Sequence, residues 1–231
     1  MVEGLHIGII MDGNRRFAKR LMKEPWKGHE YGAQKFEEML SWCEDAGIRE
    51  VTIYALSVQN LNRPKHELDF LLNLFRKELK NWGENSVIMS KQLKVNHIGR
   101  KDLLPEDIAS GIADLEEKTK NHKNFIVNLC IAYGGREEIV DAVHKIALDV
   151  KDGKVSPMEI DVDLIDKYVG LSDQPDLIIR TGGDIRTSNF LVWQSAYSEW
   201  FFVDKLWPEL DKETFLNCIS EFKSRDRRFG K

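Results

Sequence analysis

Residues 6–17 read HIGIIMDGNRRF, and residues 180–199 read RTGGDIRTSNFLVWQSAYSE. Each sets an apolar run beside a loop rich in Gly, Asp, Asn and Arg. Leu5–Ile10 is apolar without a period-two alternation, the pattern of a strand buried on both faces. Asp12, the Gly13-Asn14 turn and the pair Arg15-Arg16 follow it. Asp176–Ile179 reads as a second such strand. It leads into Arg180, the small run Thr181-Gly182-Gly183, then Arg186 and Ser188. Glycine turns offer main-chain N–H donors, arginines offer forked donors and serine offers a hydroxyl, which together hold anions. One acid among such donors is what a divalent metal bridging to a phosphate needs. The chain reads as an enzyme acting on a phosphorylated or diphosphorylated substrate.

Working outward, strands and helices alternate. Val51–Leu56, Leu93–Ile98, Phe125–Ala132 and Trp200–Val203 read as further strands. Helices are expected over Arg15–Met22, Tyr31–Ala46 (stopping at Gly47), His66–Met89, Pro105–Lys120, Arg136–Val150, Asp161–Tyr168 and Asp211–Arg225. This order predicts an α/β fold with an open, mostly parallel sheet of about six strands flanked by helices. Ligands of such sheets bind at the carboxyl ends of the strands. Met11–Arg16, Ser57–Arg63, Tyr133–Arg136 and Arg180–Ser188 are expected to converge there.

Composition narrows the classes. The chain has 231 residues, 42% hydrophobic and 31% charged, enough for a core and for solubility. We expect a single catalytic domain over 1–231. A net charge of −4 argues against nucleic-acid binding. The basic residues gather locally instead, as in KSRDRRFGK at 223–231. Cys43, Cys130 and Cys218 are odd in number and widely spaced, which gives neither a disulfide framework nor a zinc pattern. A reduced, cytoplasmic setting is expected, with no signal peptide and no membrane-spanning stretch.

Each motif has a bland alternative. Asp12-Gly13-Asn14 could be an Asx turn capping the next helix. That leaves Arg15 and Arg16 at a helix N-terminus, where cations oppose the helix dipole unless an anion lies between. An aspartyl-nucleophile phosphatase would want an acid at position 14, which is Asn14. Tyr133-Gly134-Gly135-Arg136 could be an ordinary strand-to-helix turn. His29 could be a solvated or capping histidine. The long helix from His66 could be plain core rather than a ligand-tunnel wall. Glu199 could be solvated, and as a metal ligand it would need Asp12 nearby.

The chain resembles the cis-prenyltransferases of the undecaprenyl diphosphate synthase type. The resemblance rests on HIGIIMDGNRRFAKR, Gly28-His29, Asn60-Leu61-Asn62-Arg63-Pro64, Tyr133-Gly134-Gly135-Arg136, RTGGDIRTSNFLVWQSAYSEWFF, Leu206-Trp207-Pro208 and Arg227-Arg228-Phe229-Gly230. It implies a dimeric fold with a hydrophobic tunnel. It also implies Mg²⁺-dependent condensation of an allylic diphosphate with isopentenyl diphosphate to a cis-prenyl diphosphate. Asp12 would be catalytic and hold the metal, completed by Glu199, with Asn60 a second catalytic residue. Gly13, Asn14, Arg15, Arg16, His29 and Arg63 would bind substrate, and Arg180, Arg186 and Ser188 would clamp the second diphosphate. Arg228 and Gly230 would reach the partner's site in a homodimer. A lipid product would bring peripheral membrane association.

Departures from the family pattern bear on the acceptor. Leu56-Ser57-Val58-Gln59-Asn60-Leu61 carries an amide where the family has a carboxylate, and Leu where it has two rings. Ala132 stands where Asn is common, and Ile185 where His is common. These departures suggest an alternative: short or non-head-to-tail products from dimethylallyl diphosphate. Two other readings are a non-catalytic partner subunit and a phosphoryl-transfer enzyme. The intact Asp12, Arg16, Arg180 and Arg186 argue against the former.

Overall fold

The computed structural model describes residues 4–84 and 86–225. Its centre is a six-stranded sheet: β1 (Leu5–Ile10), β2 (Ile48–Ser57), β3 (Lys94–Ile98), β4 (Ile126–Tyr133), β5 (Leu177–Thr181) and β6 (Glu199–Val203). The order is β3-β4-β2-β1-β5-β6, and every described pairing is parallel. The expected mostly parallel sheet is thus entirely parallel. Parallel strands need crossover connections, and helices supply them on both faces. These are α1 (Asn14–Arg20), α2 (Gly28–Asp45), α3 (Lys65–Trp82), α4 (Val87–Ser90), α5 (Glu106–Thr119), α6 (Gly135–Lys151), α7 (Val162–Tyr168) and α8 (Lys212–Ser224).

Burial explains the apolar runs. Ile7 and Ile9 of β1, Val51 and Ile53 of β2 and Leu177 and Ile179 of β5 are fully buried in one large core. A second cluster on the other face gathers Ile10, Tyr133, Ile178 and Phe190. Gly8 is needed where the sheet meets this cluster. A Cβ there would sit 2.9 Å from Ile178 and 3.2 Å from the Phe190 ring.

The helix expected over His66–Met89 is two helices. α3 ends at Trp82 with Gly83 as its cap. Ser86 then starts α4 by accepting from the Ile88 N–H at 3.1 Å. The apolar spacing ran through this break, but the backbone does not. Gly47, expected to stop α2, does so with φ +68.

The chain runs from β1 to β2 on one side and returns to place β5 on β1's other side. The crevice above the β1/β5 boundary is therefore the topological switch point, where ligands of such folds bind.

Candidate active site

Asp12 and Arg180 meet at that boundary. Ile10 pairs with Arg180 across β1 and β5, so the loops after the two strands start side by side. Arg180 Nη2 donates to Asp12 Oδ2 at 2.7 Å. The Arg180 side chain is only 3% exposed, and its Nε has no hydrogen-bond partner. Its Nη1 donates to Ser188 Oγ at 2.7 Å and to the Arg186 carbonyl. Ser188 and the Arg186 main chain thus aim Arg180, which in turn aims Asp12.

The Asp12 main chain is pinned as well. Thr181 Oγ1 and the Trp207 N–H both donate to its carbonyl, at 2.8 and 2.9 Å. Arg16 Nη2 approaches Asp12 Oδ1 at 3.4 Å and Asp184 Oδ2 at 3.5 Å, and Arg186 Nη2 donates to Asp184 at 2.7 Å. Partial burial pushes the Asp12 carboxyl up. The Arg180 hydrogen bond and the charges of Arg180 and Arg16 outweigh it and hold the group below its ordinary value. Asp12 is an ionised carboxylate ringed by guanidinium groups.

Gly13 adopts φ +111, and a Cβ on it would touch the Leu206 backbone at 2.9 Å. No side chain caps α1 there. Asn14 instead donates to the Met11 carbonyl at 3.2 Å, and its Oδ1 is buried without a partner. α1 packs on α2 through two glycines. A Cβ on Gly28 would lie 1.9 Å from the Asn14 carbonyl oxygen, and one on Gly32 would lie 2.4 Å from Asn14 Oδ1. This close approach sets His29 beside the loop. Burial, then the charges of Arg63 and Arg15, push His29 down to about 4, so it is neutral at pH 7, with Nε2 buried and unpartnered.

Arg63 and Arg15 share one anchor, the buried Glu67, at 2.5 and 3.6 Å. Asn60 is tied into the turn Val58–Asn62: its Oδ1 accepts from the Ser57 N–H at 3.2 Å, and its own N–H donates to Ser57 Oγ at 3.1 Å. Asp12, Gly13, Asn14, Arg15, Arg16, His29, Asn60, Arg63, Arg180, Arg186 and Ser188 all line one cavity of about 580 Å³. Its charged mouth lies at the loops. Its body runs between α2 and α3 over the sheet, past Phe36, Ile53, Leu71, Phe75, Trp82 and Leu129. Sequence reasoning missed Glu67, Asp184 and Gly32. Glu67 lies in no motif, Asp184 stands inside RTGGDIR among more prominent arginines, and Gly32 marks no turn.

Three expectations need correction or limits. Glu199 does not join Asp12 within the chain. It opens β6 in register with Leu177, at the amino end of β5, whereas Arg180 lies three residues further along that strand. It accepts instead from Arg225 Nη1 at 2.8 Å. Tyr133-Gly134-Gly135-Arg136 is a packing turn. Gly135 N–H and Arg136 N–H donate to Asn189 O and Oδ1, both at 2.8 Å, and a Cβ on Gly135 would strike Val192 at 2.7 Å. Its residues do not line the cavity. Arg228 and Gly230 lie outside the described residues.

The departures have structural partners. Gln59 Nε2 donates to Glu137 Oε1 at 3.0 Å, and Asn189 Nδ2 donates to Glu137 Oε2 at 2.8 Å. Leu56 is buried and Leu61 packs against the main core. Ala132 adopts φ +52, a left-handed conformation that Asn tolerates better. The described cysteines are all buried and free.

A family model described as undecaprenyl diphosphate synthase matches residues 10–230. A tritrans,polycis-undecaprenyl-diphosphate synthase (geranylgeranyl-diphosphate specific) from Methanopyrus kandleri is 52% identical over 98% of this chain and 84% of its own. An isoprenyl transferase from Thermus thermophilus is 43% identical over 98% and 88%. Among solved structures, lavandulyl diphosphate synthase from Lavandula x intermedia, in complex with dimethylallyl diphosphate, has a TM-score of 0.94. It is 34% identical and covers 100% of this chain and 99% of that one. The polycis-synthase and isoprenyl-transferase names fit the main reading and not the short-product alternative. The chain belongs to the undecaprenyl diphosphate synthase family and is a prenyl transferase.

Proposed function

We propose that the chain condenses an allylic diphosphate with isopentenyl diphosphate to a longer cis-prenyl diphosphate, with Mg²⁺. The observation that carries this is the pairing of Asp12 with Arg180 at the mouth of a cavity whose body is apolar. The nearby relatives named as geranylgeranyl-specific make a C20 allylic diphosphate the first starter to try.

The residues fit the metal. Mg²⁺ takes oxygen ligands, usually one or two carboxylates completed by substrate phosphate and water. Asp12 is an ionised carboxylate at a solvent-reachable mouth, while its neighbours Arg16, Arg180 and Arg186 suit the remaining phosphate charge. Bound there, the ion would neutralise charge developing on the leaving diphosphate. Arg15, Arg16 and neutral His29 would hold the allylic diphosphate, Gly13 and Asn14 would cradle it, and Arg63 would close over it. Arg180, Arg186 and Ser188 would place the second diphosphate. The allylic C–O bond breaks as the homoallylic alkene attacks C1, and a proton then leaves. Fixing both diphosphates supplies proximity, and the arginines stabilise the departing charge. Phe36, Leu71 and Phe75 would keep water from the cationic carbon and receive the growing tail. Asn60 would act through the turn it fixes over the mouth.

The test is to incubate purified protein with labelled isopentenyl diphosphate, Mg²⁺ and C5 to C20 allylic diphosphates, with products identified by mass and NMR. Cis-elongated diphosphates are expected. Phosphate release without condensation would refute the reading.

The assembly we propose is a homodimer. Val140, Val143 and Leu148 of α6 are each about half exposed and are apolar residues that a second copy would cover. Light scattering should give a dimer. A chain lacking residues 227–231 mixed with an Asp12→Ala chain should regain activity if Arg228 and Gly230 act across the dimer. No described helix is long and apolar enough to cross a membrane. A cytoplasmic enzyme touching membranes through its lipid product is the setting we infer.

A further inference from the structure

The opposite, amino-terminal edge of the sheet carries a second cluster that the prenyl chemistry does not use. His6 of β1 pairs in register with Glu50 of β2, and Asp173 lies in the segment entering β5. One ligand atom from each of the three lies within 4.8 Å of the others. His6 is fully buried, and its Nδ1 has no hydrogen-bond partner. Asp173 Oδ2 faces it at 3.7 Å. That is too long for a hydrogen bond. It is close to the spacing of two ligands on one small cation: bonds of 2.0–2.1 Å at a tetrahedral angle put donors roughly 3.4 Å apart.

The surroundings orient these groups as the outer partners of a metal site do. His6 Nε2 lies 2.8 Å from Thr52 Oγ1, which fixes the ring. Asn128 Nδ2 donates to Glu50 Oε1 at 2.6 Å, and Asn96 in turn donates to Asn128 at 2.9 Å. The Gln174 main chain lies beside the His6 ring. Arg49 donates to Glu50 Oε2 at 3.1 Å and to Asp173, and so supplies these carboxylates with positive charge. Its side chain is 24% exposed and has solvent to swing into.

We propose that His6, Glu50 and Asp173 form a site for a borderline divalent cation of the Zn²⁺ class, with Arg49 as the group that the ion displaces. An imidazole with two carboxylates suits Zn²⁺ or Co²⁺ better than Mg²⁺. The site lies at the far end of β1 from Asp12. It would tie the starts of β1 and β2 to the segment leading into β5, and so brace the two strands whose other ends carry Asp12 and Arg180. The proposal is independent of the substrate reading.

The experiment titrates untagged, metal-stripped protein with Co²⁺ and follows visible absorption, then displaces the Co²⁺ with Zn²⁺. One Co²⁺ per chain with the strong bands of a four- or five-coordinate site is expected. Asp173→Asn and His6→Gln should each weaken binding about tenfold or more, and Arg49→Gln should tighten it several-fold. Thr52→Val should cost ~10-fold through the ring orientation. Asp12→Asn should leave the bands intact. Absence of the bands from both the wild type and Arg49→Gln overturns the proposal. So does binding that survives Asp173→Asn unchanged, or that vanishes in Asp12→Asn. Asp173 is half exposed, so its variant tests the site without opening the core.

Discussion

Replacing Asp12 by Asn keeps the side chain's shape and removes its charge. Arg180 would then stay buried, its Nε already unpartnered, facing a neutral amide in place of the carboxylate, with Ser188 Oγ, the Arg186 carbonyl and Asp184 at 4.0 Å as its other polar neighbours. A hydrogen bond to a charged group contributes about 1.5–3 kcal/mol, and the partial exposure of Asp12 favours the lower end. For a chain of this size, about 1.5 kcal/mol corresponds to a fall in Tm of roughly 3–6 °C. The effect on chemistry is larger. Losing the carboxylate that anchors metal and diphosphate should lower kcat by about 10²–10³-fold or more, as for loss of one preorganised transition-state contact. Because the Asp12 carboxyl is depressed in the folded chain, its contribution is full above the unfolded value near pH 3.9. It is lost as pH falls through the folded value, so the Tm gap between wild type and variant should close below about pH 4. The assays are turnover of labelled isopentenyl diphosphate at saturating Mg²⁺ and thermal unfolding across pH. Turnover within tenfold of wild type, or a Tm gap unchanged at low pH, would refute the reasoning.

Gly28→Ala should destabilise the fold by more than about 2 kcal/mol in thermal unfolding, because the new methyl meets a main-chain oxygen that cannot rotate away. Glu67→Ala should raise KM for the allylic diphosphate by about tenfold while changing kcat less, since it frees Arg63 and Arg15 without touching Asp12. His29 is depressed to about 4, so its share of stability is full above about pH 6.5 and is lost as pH falls towards 4. His29→Asn should remove up to one proton's worth of the pH slope of unfolding in that window. Gln59→Glu should set a second carboxylate against Glu137, cost about 0.5 kcal/mol by chemical denaturation and leave product linkage unchanged. A switch of linkage by NMR would show instead that position 59 selects the acceptor.

The strand cores were legible because strands covered on both faces need apolar residues at successive positions, and Leu5–Ile10 and Leu177–Ile179 carry them. The loop after β1 was legible for a related reason: Gly13 and the paired arginines make local demands on backbone and charge. α3 was misread as continuing to Met89 because Val87 and Ile88 keep the apolar spacing. The Gly83 cap and the Ser86 start are local signals that the apolar period masks. Tyr133-Gly134-Gly135-Arg136 shows the limit of a motif. Two glycines after a strand can admit a phosphate or a neighbouring loop, and here Asn189 and Val192 fill the space.

The sequence by itself determined the alternation of strands and helices, the family, and nearly every side chain at the cavity mouth. Each of these depends on short-range patterning or on residue chemistry. Only the tertiary structure decided which of those side chains face one another. Asp12 and Arg180 are 168 positions apart and meet because β5 lies beside β1, a pairing settled by the packing of the whole sheet. The same packing places Glu199 level with Leu177 rather than with Arg180, and lets Glu67 anchor two arginines from different parts of the chain. It also brings His6, Glu50 and Asp173 together at the opposite edge. Strand order and register are cooperative properties of the core, and a local reading of the chain does not contain them.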